Sequence, residues 1–239
     1  MEVINDLLNY RNFKIYQNTD WFSFSLDSVL LANFVTLNSK INTIIDLGCG
    51  NAPIPLILST KTDAKIIGVE IQKDCFELAK KSVIYNNLTD KIELLNMDMK
   101  KLCDIYDINS IDVITCNPPY FKYLESSNLN DDEHKIIARH EKYITLEDIV
   151  IISKYLLKTN GVLAMVHRTE RVIEIIKLLE NNDFAVKKMQ FVYPKVGKES
   201  NMVLIEARKC ARDGLKLLPP LYVHNDDGSY TKHVKEMFE

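Results

Sequence analysis

Short apolar runs recur along this chain, each closed by polar or glycine residues, and they alternate with segments whose apolar positions repeat at helical spacing. Thr43-Ile44-Ile45-Asp46-Leu47 runs into Gly48-Cys49-Gly50-Asn51, and Lys65-Ile66-Ile67-Gly68-Val69 ends on Glu70. Lys91-Ile92-Glu93-Leu94-Leu95 leads to Asn96-Met97-Asp98, and Ile111-Asp112-Val113-Ile114-Thr115-Cys116 meets Asn117-Pro118-Pro119-Tyr120. Runs of this length, rich in β-branched residues and bounded by turn formers, read as strands. Residues 73–85 place Phe76, Ala79 and Val83 on one side of an amphipathic helix. Residues 26–37, 146–157 and 170–179 read as further helices, 161–166 and 184–192 as strands, and 201–207 as a last strand, after an N-terminal arm reaching to about residue 25. Strands alternating with helices predict an α/β fold built on a mostly parallel sheet.

Ligands of such sheets sit at the carboxyl ends of the strands, so the polar residues closing the apolar runs carry the candidate chemistry. Glycines in the Gly48-x-Gly50 turn, which follows Asp46, let the backbone come close to a ligand that a Cβ would exclude. A dinucleotide fingerprint wants a third small residue where this chain has Pro53, with Pro55 behind it, and NAD is therefore disfavoured. Glu70 at the end of the second strand can accept hydrogen bonds from both hydroxyls of a ribose, or can be a solvated strand end. Asp98 can hold an adenine amino group, or can be an ordinary loop carboxylate. At Asn117-Pro118-Pro119-Tyr120 the Asn side-chain oxygen and the Pro118 carbonyl could both accept hydrogens from a planar amine while Tyr120 stacks on its ring; the simpler alternative is a tight turn. The ordering of the four segments at successive strand ends is what favours the chemical reading.

In that order they resemble the class I S-adenosylmethionine-dependent methyltransferases, specifically those that methylate amino groups through Asn-Pro-Pro-Tyr. This resemblance covers roughly residues 41–208. It implies a Rossmann-like, mostly parallel seven-stranded sheet with helices on both faces and an antiparallel last strand. Asp46, Gly48 and Gly50 would shape the cofactor loop, with Glu70 on the ribose, Asp98 on the adenine and Asn117 where cofactor and acceptor meet. A narrower likeness spans nearly the whole chain. Phe22-Ser23-Phe24-Ser25-Leu26-Asp27-Ser28-Val29-Leu30-Leu31-Ala32, Ala138-Arg139-His140-Glu141, Tyr193-Pro194-Lys195 and Lys198-Glu199-Ser200-Asn201 are similar to the tRNA(valine) adenine-N6 methyltransferase family. That likeness implies a tRNA partner and methylation of the adenosine immediately 3′ of the anticodon. It also puts Asp27 in a segment closing over the methionine end of the cofactor, although Asp27 has an ordinary explanation as a helix N-cap.

Composition narrows the picture further. At 239 residues and 46% hydrophobic, one large domain is expected, with residues 1–40 as its N-terminal arm and helix, 41–209 as the methyltransferase domain and 210–239 as a tail. No secretory signal opens the chain and charges interrupt every apolar stretch, so a soluble cytoplasmic protein without a membrane partner is expected. Five cysteines without C-x-x-C spacing argue against a disulfide framework or a zinc site, and His134 and His140 lack partners at metal spacing, so no metal is expected. Gly197-Lys198-Glu199-Ser200 fails as a P-loop, because Val192 stands where the first Gly belongs and no Ser or Thr follows the Lys.

A net charge of −3 does not advertise nucleic acid, but residues 187–216 hold eight basic residues against three acidic ones. Lys195 and Lys198, together with Arg139 and His140, are candidate RNA contacts, or else part of a solvated face. The stretch of about 25 residues between Tyr120 and Leu146 reads as a functional loop or a disordered one. Protein glutamine methylation is a rival, since the same four residues can grip a carboxamide; it would want a long helical substrate domain before Asp46. DNA adenine methylation would want a target-recognition domain, and a non-catalytic RNA-binding module would have little need of an intact Asn117-Pro118-Pro119-Tyr120. The oligomeric state is not legible.

Overall fold

The computed structural model describes residues 1–7, 12–19, 26–120 and 144–238. Arg139, His140 and the long stretch after Tyr120 lie outside the described residues. The parallel strands stand close to where the apolar runs predict them: β3 (Thr43–Leu47), β4 (Lys65–Glu70), β5 (Ile92–Asn96), β6 (Ile111–Cys116) and β7 (Leu157–Arg168). Side chains leave the strands alternately toward the two faces of the sheet, and both faces are covered. Ile44, Ile66 and Val113 enter one core, with α1 (Leu26–Phe34) and α2 (Pro53–Leu58) packed over it. Ile45, Ile67 and Ile114 enter the other, under α4 (Leu146–Leu156) and α5 (Val172–Asn181).

The strand order across the sheet is β8 (Phe184–Tyr193), β9 (Met202–Lys209), β7, β6, β3, β4, β5. β9 is the antiparallel strand, inserted between β7 and β8 and paired with both. Two-residue strands β10 (Lys216–Leu217) and β11 (Leu221–Tyr222) from the tail pair in parallel with β8 and extend this seven-stranded core. Near the chain's end Val234 and Phe238 are buried in the same core as α1. The order reverses at β3, whose neighbours β4 and β6 are followed by helices on opposite faces, and a crevice opens at such a reversal, beyond the carboxyl ends of the strands.

The N-terminal arm is folded. β1 (Glu2–Asp6) and β2 (Lys14–Asn18) form an antiparallel hairpin. Ser82 Oγ on α3 (Lys73–Tyr85) and Oδ1 of its C-cap Asn86 accept the Tyr16 and Lys14 amides at 2.9 and 3.0 Å, and Asn51 Nδ2 donates to the Tyr16 carbonyl at 2.8 Å. These polar side chains give the edge strand the backbone partners that a sheet neighbour would otherwise supply. Two expectations are corrected. The first helix stops at Phe34 instead of residue 37, and Asp27 lies inside the described helix and is not its N-cap.

Candidate active site

Three loops meet at the carboxyl ends of β3, β4 and β6 around a cavity of about 160 Å³. The β3 loop is held in an unusual backbone path: Gly48, Gly50 and Ala52 have φ of 69°, 56° and 70°. A Cβ on Gly50 would meet no atom within 4 Å, so its glycine answers to the left-handed conformation and to what comes into the open space beside it. Pro53 then opens α2, a position at which no amide hydrogen is needed.

Asp46, Gly48, Gly50, Glu70, Asn117, Pro118 and Pro119 all line this cavity. Glu70 is 5% exposed, and its carboxylate accepts the Gly50 amide at 2.9 Å and the Gln72 amide at 2.8 Å, tying the glycine loop to the turn after β4. Burial raises its pKa, and the surrounding amide hydrogens oppose that rise. Each of its oxygens keeps a lone pair for a ligand hydroxyl. Asp46 is deeper. Its Oδ1 accepts the Thr115 hydroxyl at 2.6 Å, while Oδ2 is buried with no hydrogen-bond partner among the described residues. Burial pushes its carboxyl up to about 7, the Glu70 charge adds to the rise and Thr115 opposes it.

Asp98 is not among the lining residues. Its carboxylate caps the short turn Met99–Lys101, accepting the Lys100 amide at 2.9 Å, and the cavity is reached instead by its neighbour Met99. Tyr120 and Asp27 also stand outside the lining residues, and the Tyr120 hydroxyl lies 2.6 Å from Asp27 Oδ2 and 2.7 Å from Asn117 Oδ1. Burial and the Asp27 charge push the phenol pKa well up, so it is neutral. Its ring packs at 5.5 Å against His167 on β7. His167 is fully buried and held neutral, its pKa lowered to about 4 by burial and by nearby Arg171. Since Nδ1 accepts the Arg168 amide at 2.8 Å, the proton sits on Nε2, which has no partner among the described residues.

Sequence reasoning missed Gln17, Ser28, Ile71, Gln72, Cys75 and Met99, all of which line the cavity. Ile71 and Gln72 were within reach of it, because they directly follow Glu70 at a strand end. Gln17 carries no such signal, since the hairpin is brought to the cavity by long-range bonds to the α3 region and to Asn51 of the glycine loop. Cys49, Cys75 and Cys116 line it too, as free thiols whose pKa values are raised by burial.

The basic run 187–216 does not form one surface. Lys195 and Lys198 sit in the turn after β8, at the same end of the sheet as Asn117, lining a shallow groove with Glu199, His224 and Asp226. Lys187, Lys188, Arg208, Arg212 and Lys216 gather at the opposite end, around buried Glu206, which Lys188 meets at 3.0 Å. Among the described residues no cluster of three His, Cys, Asp or Glu side chains could hold a metal ion, and no helix is long and apolar enough to cross a membrane.

A glycine loop, a ribose-ready carboxylate and an acceptor motif on one crevice, under a sheet of this order, define a class I S-adenosylmethionine-dependent methyltransferase. A family model for the methyltransferase domain matches residues 38–218, and the chain belongs to that family. Over 238 residues it is 24% identical to the tRNA1(Val) (adenine(37)-N6)-methyltransferase of Phocaeicola vulgatus, with 98% of each chain covered. The protein of the same description from Porphyromonas gingivalis is 25% identical over 242 residues, covering 98% of this chain and 94% of the relative. Among solved structures, a predicted O-methyltransferase from Agrobacterium tumefaciens aligns with a TM-score of 0.71 at 20% identity, over 89% of this chain and 95% of that one, a likeness of fold.

The residues present fit the cofactor. A buried carboxylate oxygen without a partner, Asp46 Oδ2, suits a ligand that carries ammonium and sulfonium charges, and Glu70 suits its ribose.

Proposed function

We propose that this enzyme methylates N6 of an adenosine in tRNA, the one immediately 3′ of the anticodon of a valine tRNA. What carries the reading is the placement of Asn117, Pro118 and Pro119 on the same cavity as Asp46, the glycine loop and Glu70, so that an amine held by the first group lies beside a methyl donor held by the second. The names of the full-length relatives support the choice of adenine and of tRNA.

Bound S-adenosylmethionine supplies a methyl group on positively charged sulfur. Asp46 and Glu70 hold its charged and ribose portions. Asn117 Oδ1 and the Pro118 carbonyl accept the two amino hydrogens of the target base, which favours a pyramidal nitrogen whose lone pair is withdrawn from the ring. The base leaves its stack to reach this position, with Tyr120 as its stacking surface. Once the nitrogen has gained its methyl its proton is acidic, and solvent can take it, so no strong general base is required.

Single-turnover methylation of a valine anticodon stem-loop, followed by nucleoside mass spectrometry, tests the reading. The wild type should yield N6-methyladenosine at the residue 3′ of the anticodon. Asn117→Ala should lower the rate about a hundredfold or more with cofactor affinity held within a few-fold, because the lost bond matters most as the amine pyramidalises. Methyl found on a protein carboxamide instead, or an Asn117→Ala enzyme at wild-type rate, would overturn it.

A further inference from the structure

The Tyr120 hydroxyl has one proton and two acceptors within reach, Asn117 Oδ1 at 2.7 Å and Asp27 Oδ2 at 2.6 Å. It can serve only one of them at a time. The choice has a chemical consequence on the reading above, in which Asn117 Oδ1 is the atom that receives the substrate's amino hydrogen. If the phenol donates to Asn117, one lone pair of that oxygen is used and the other becomes a poorer acceptor. A carboxylate is the stronger acceptor of the two, since its hydrogen bonds are charge-assisted. With the phenol proton on Asp27, the phenol oxygen and Asn117 Oδ1 are left 2.7 Å apart with no hydrogen between them. That is a pair of acceptors which an incoming N–H would satisfy.

We propose that Asp27 is a positioning residue of the acceptor site: it draws the Tyr120 hydroxyl away from Asn117 and leaves a two-oxygen acceptor for the substrate amine. Such a pair admits a 6-amino purine and repels a 6-oxo purine, whose ring substituent is itself an acceptor. Three features fix the geometry. Asp27 is carried by the first turn of α1, which packs against α2; Tyr120 follows two rigid prolines; and His167 supports its ring from β7. Among the described residues 26–32 of the Asp27 segment, Ser28 lines the cofactor cavity and Asp27 does not.

The inference rests on the function proposed above, and a double-mutant cycle separates the two. Single-turnover rates at saturating stem-loop and cofactor would be measured for the wild type, Asp27→Asn, Tyr120→Phe and the double variant, with S-adenosylhomocysteine affinity by calorimetry on each. Asp27→Asn presents an amide that can donate to the phenol and send its proton to Asn117; its rate should fall about tenfold to a hundredfold, the scale of a hydrogen bond to a charged group, with product affinity changed less than about twofold. Tyr120→Phe has no proton to contest, so adding Asp27→Asn to it should cost less than about twofold. Asp27→Ala serves in the same way should the Asn variant fold poorly, with retained product binding as the certificate of folding. An Asp27 effect that persists in full on the Tyr120→Phe background, or a parallel loss of product affinity, overturns the inference while leaving the proposed function standing. A wild-type enzyme that methylates no adenosine in the stem-loop removes both.

Discussion

Replacing Asp46 by Asn should stabilise the ligand-free protein above neutral pH and weaken its hold on the cofactor. Asp46 is 1% exposed, and burial pushes its carboxyl up to about 7. Because the folded pKa lies above the unfolded one of about 3.9, the folded state keeps a proton that the unfolded chain releases. Its favourable contribution is therefore complete below about pH 4 and is lost as pH rises to about 7; beyond that, ionised Asp46 costs the fold at most about 4 kcal/mol. Asn keeps the shape and can still accept from Thr115, but its amide N–H replaces an orphaned oxygen with an orphaned donor. The net gain at pH 8 should therefore be smaller, on the order of 1 to 3 kcal/mol. Binding moves the other way. A cationic ligand favours ionised Asp46, so below pH 7 binding must expel a proton, and affinity should fall by up to about tenfold per pH unit. Urea unfolding at pH 8 and calorimetry with S-adenosylhomocysteine, whose ammonium remains charged, in two buffers of different ionisation enthalpy at pH 6, give the two readouts. Proton release should appear in the wild type and vanish in Asp46→Asn. A variant no more stable than the wild type at pH 8, with no proton release by the wild type at pH 6, would refute the argument.

Glu70→Ala should do more than remove the proposed ribose contact, since it strips the Gly50 and Gln72 amides of their acceptor; about 2 to 5 kcal/mol of stability should go with it, and Glu70→Gln, which keeps one acceptor, should fall between. Unchanged urea midpoints would show that the loop stands without the carboxylate. Substituting Lys195 and Lys198 by Glu should weaken stem-loop binding and flatten its salt dependence by about 0.7 to 0.9 in log-log slope per lost phosphate contact, with cofactor affinity the same. The same change at Arg212 and Lys216, at the far end of the sheet, should leave RNA binding as it was, and equal losses from both pairs would argue against an interface confined to the active-site end.

The chain spells out its local elements because each obeys a short-range rule. β4 and β6 begin and end at the residues where their apolar runs do, and α3 covers 73–85 as its periodicity requires. The polar closures of those runs fall at strand ends by the same logic, so the sequence alone assigns Asp46, Gly48, Gly50, Glu70 and Asn117 to one crevice, which they line. Periodicity is silent on partners that are distant in sequence. Only packing decided that β9 slips between β7 and β8 and that the arm becomes a hairpin bonded to α3. Tertiary structure also split the basic run between the two ends of the sheet, because successive strands there run in opposite directions and carry neighbouring lysines apart. The meeting of Asp27 with Tyr120 and Asn117 joins groups 93 residues apart along the chain. A contact of that kind is set by how α1 packs over the sheet, and by nothing in the residues on either side of it.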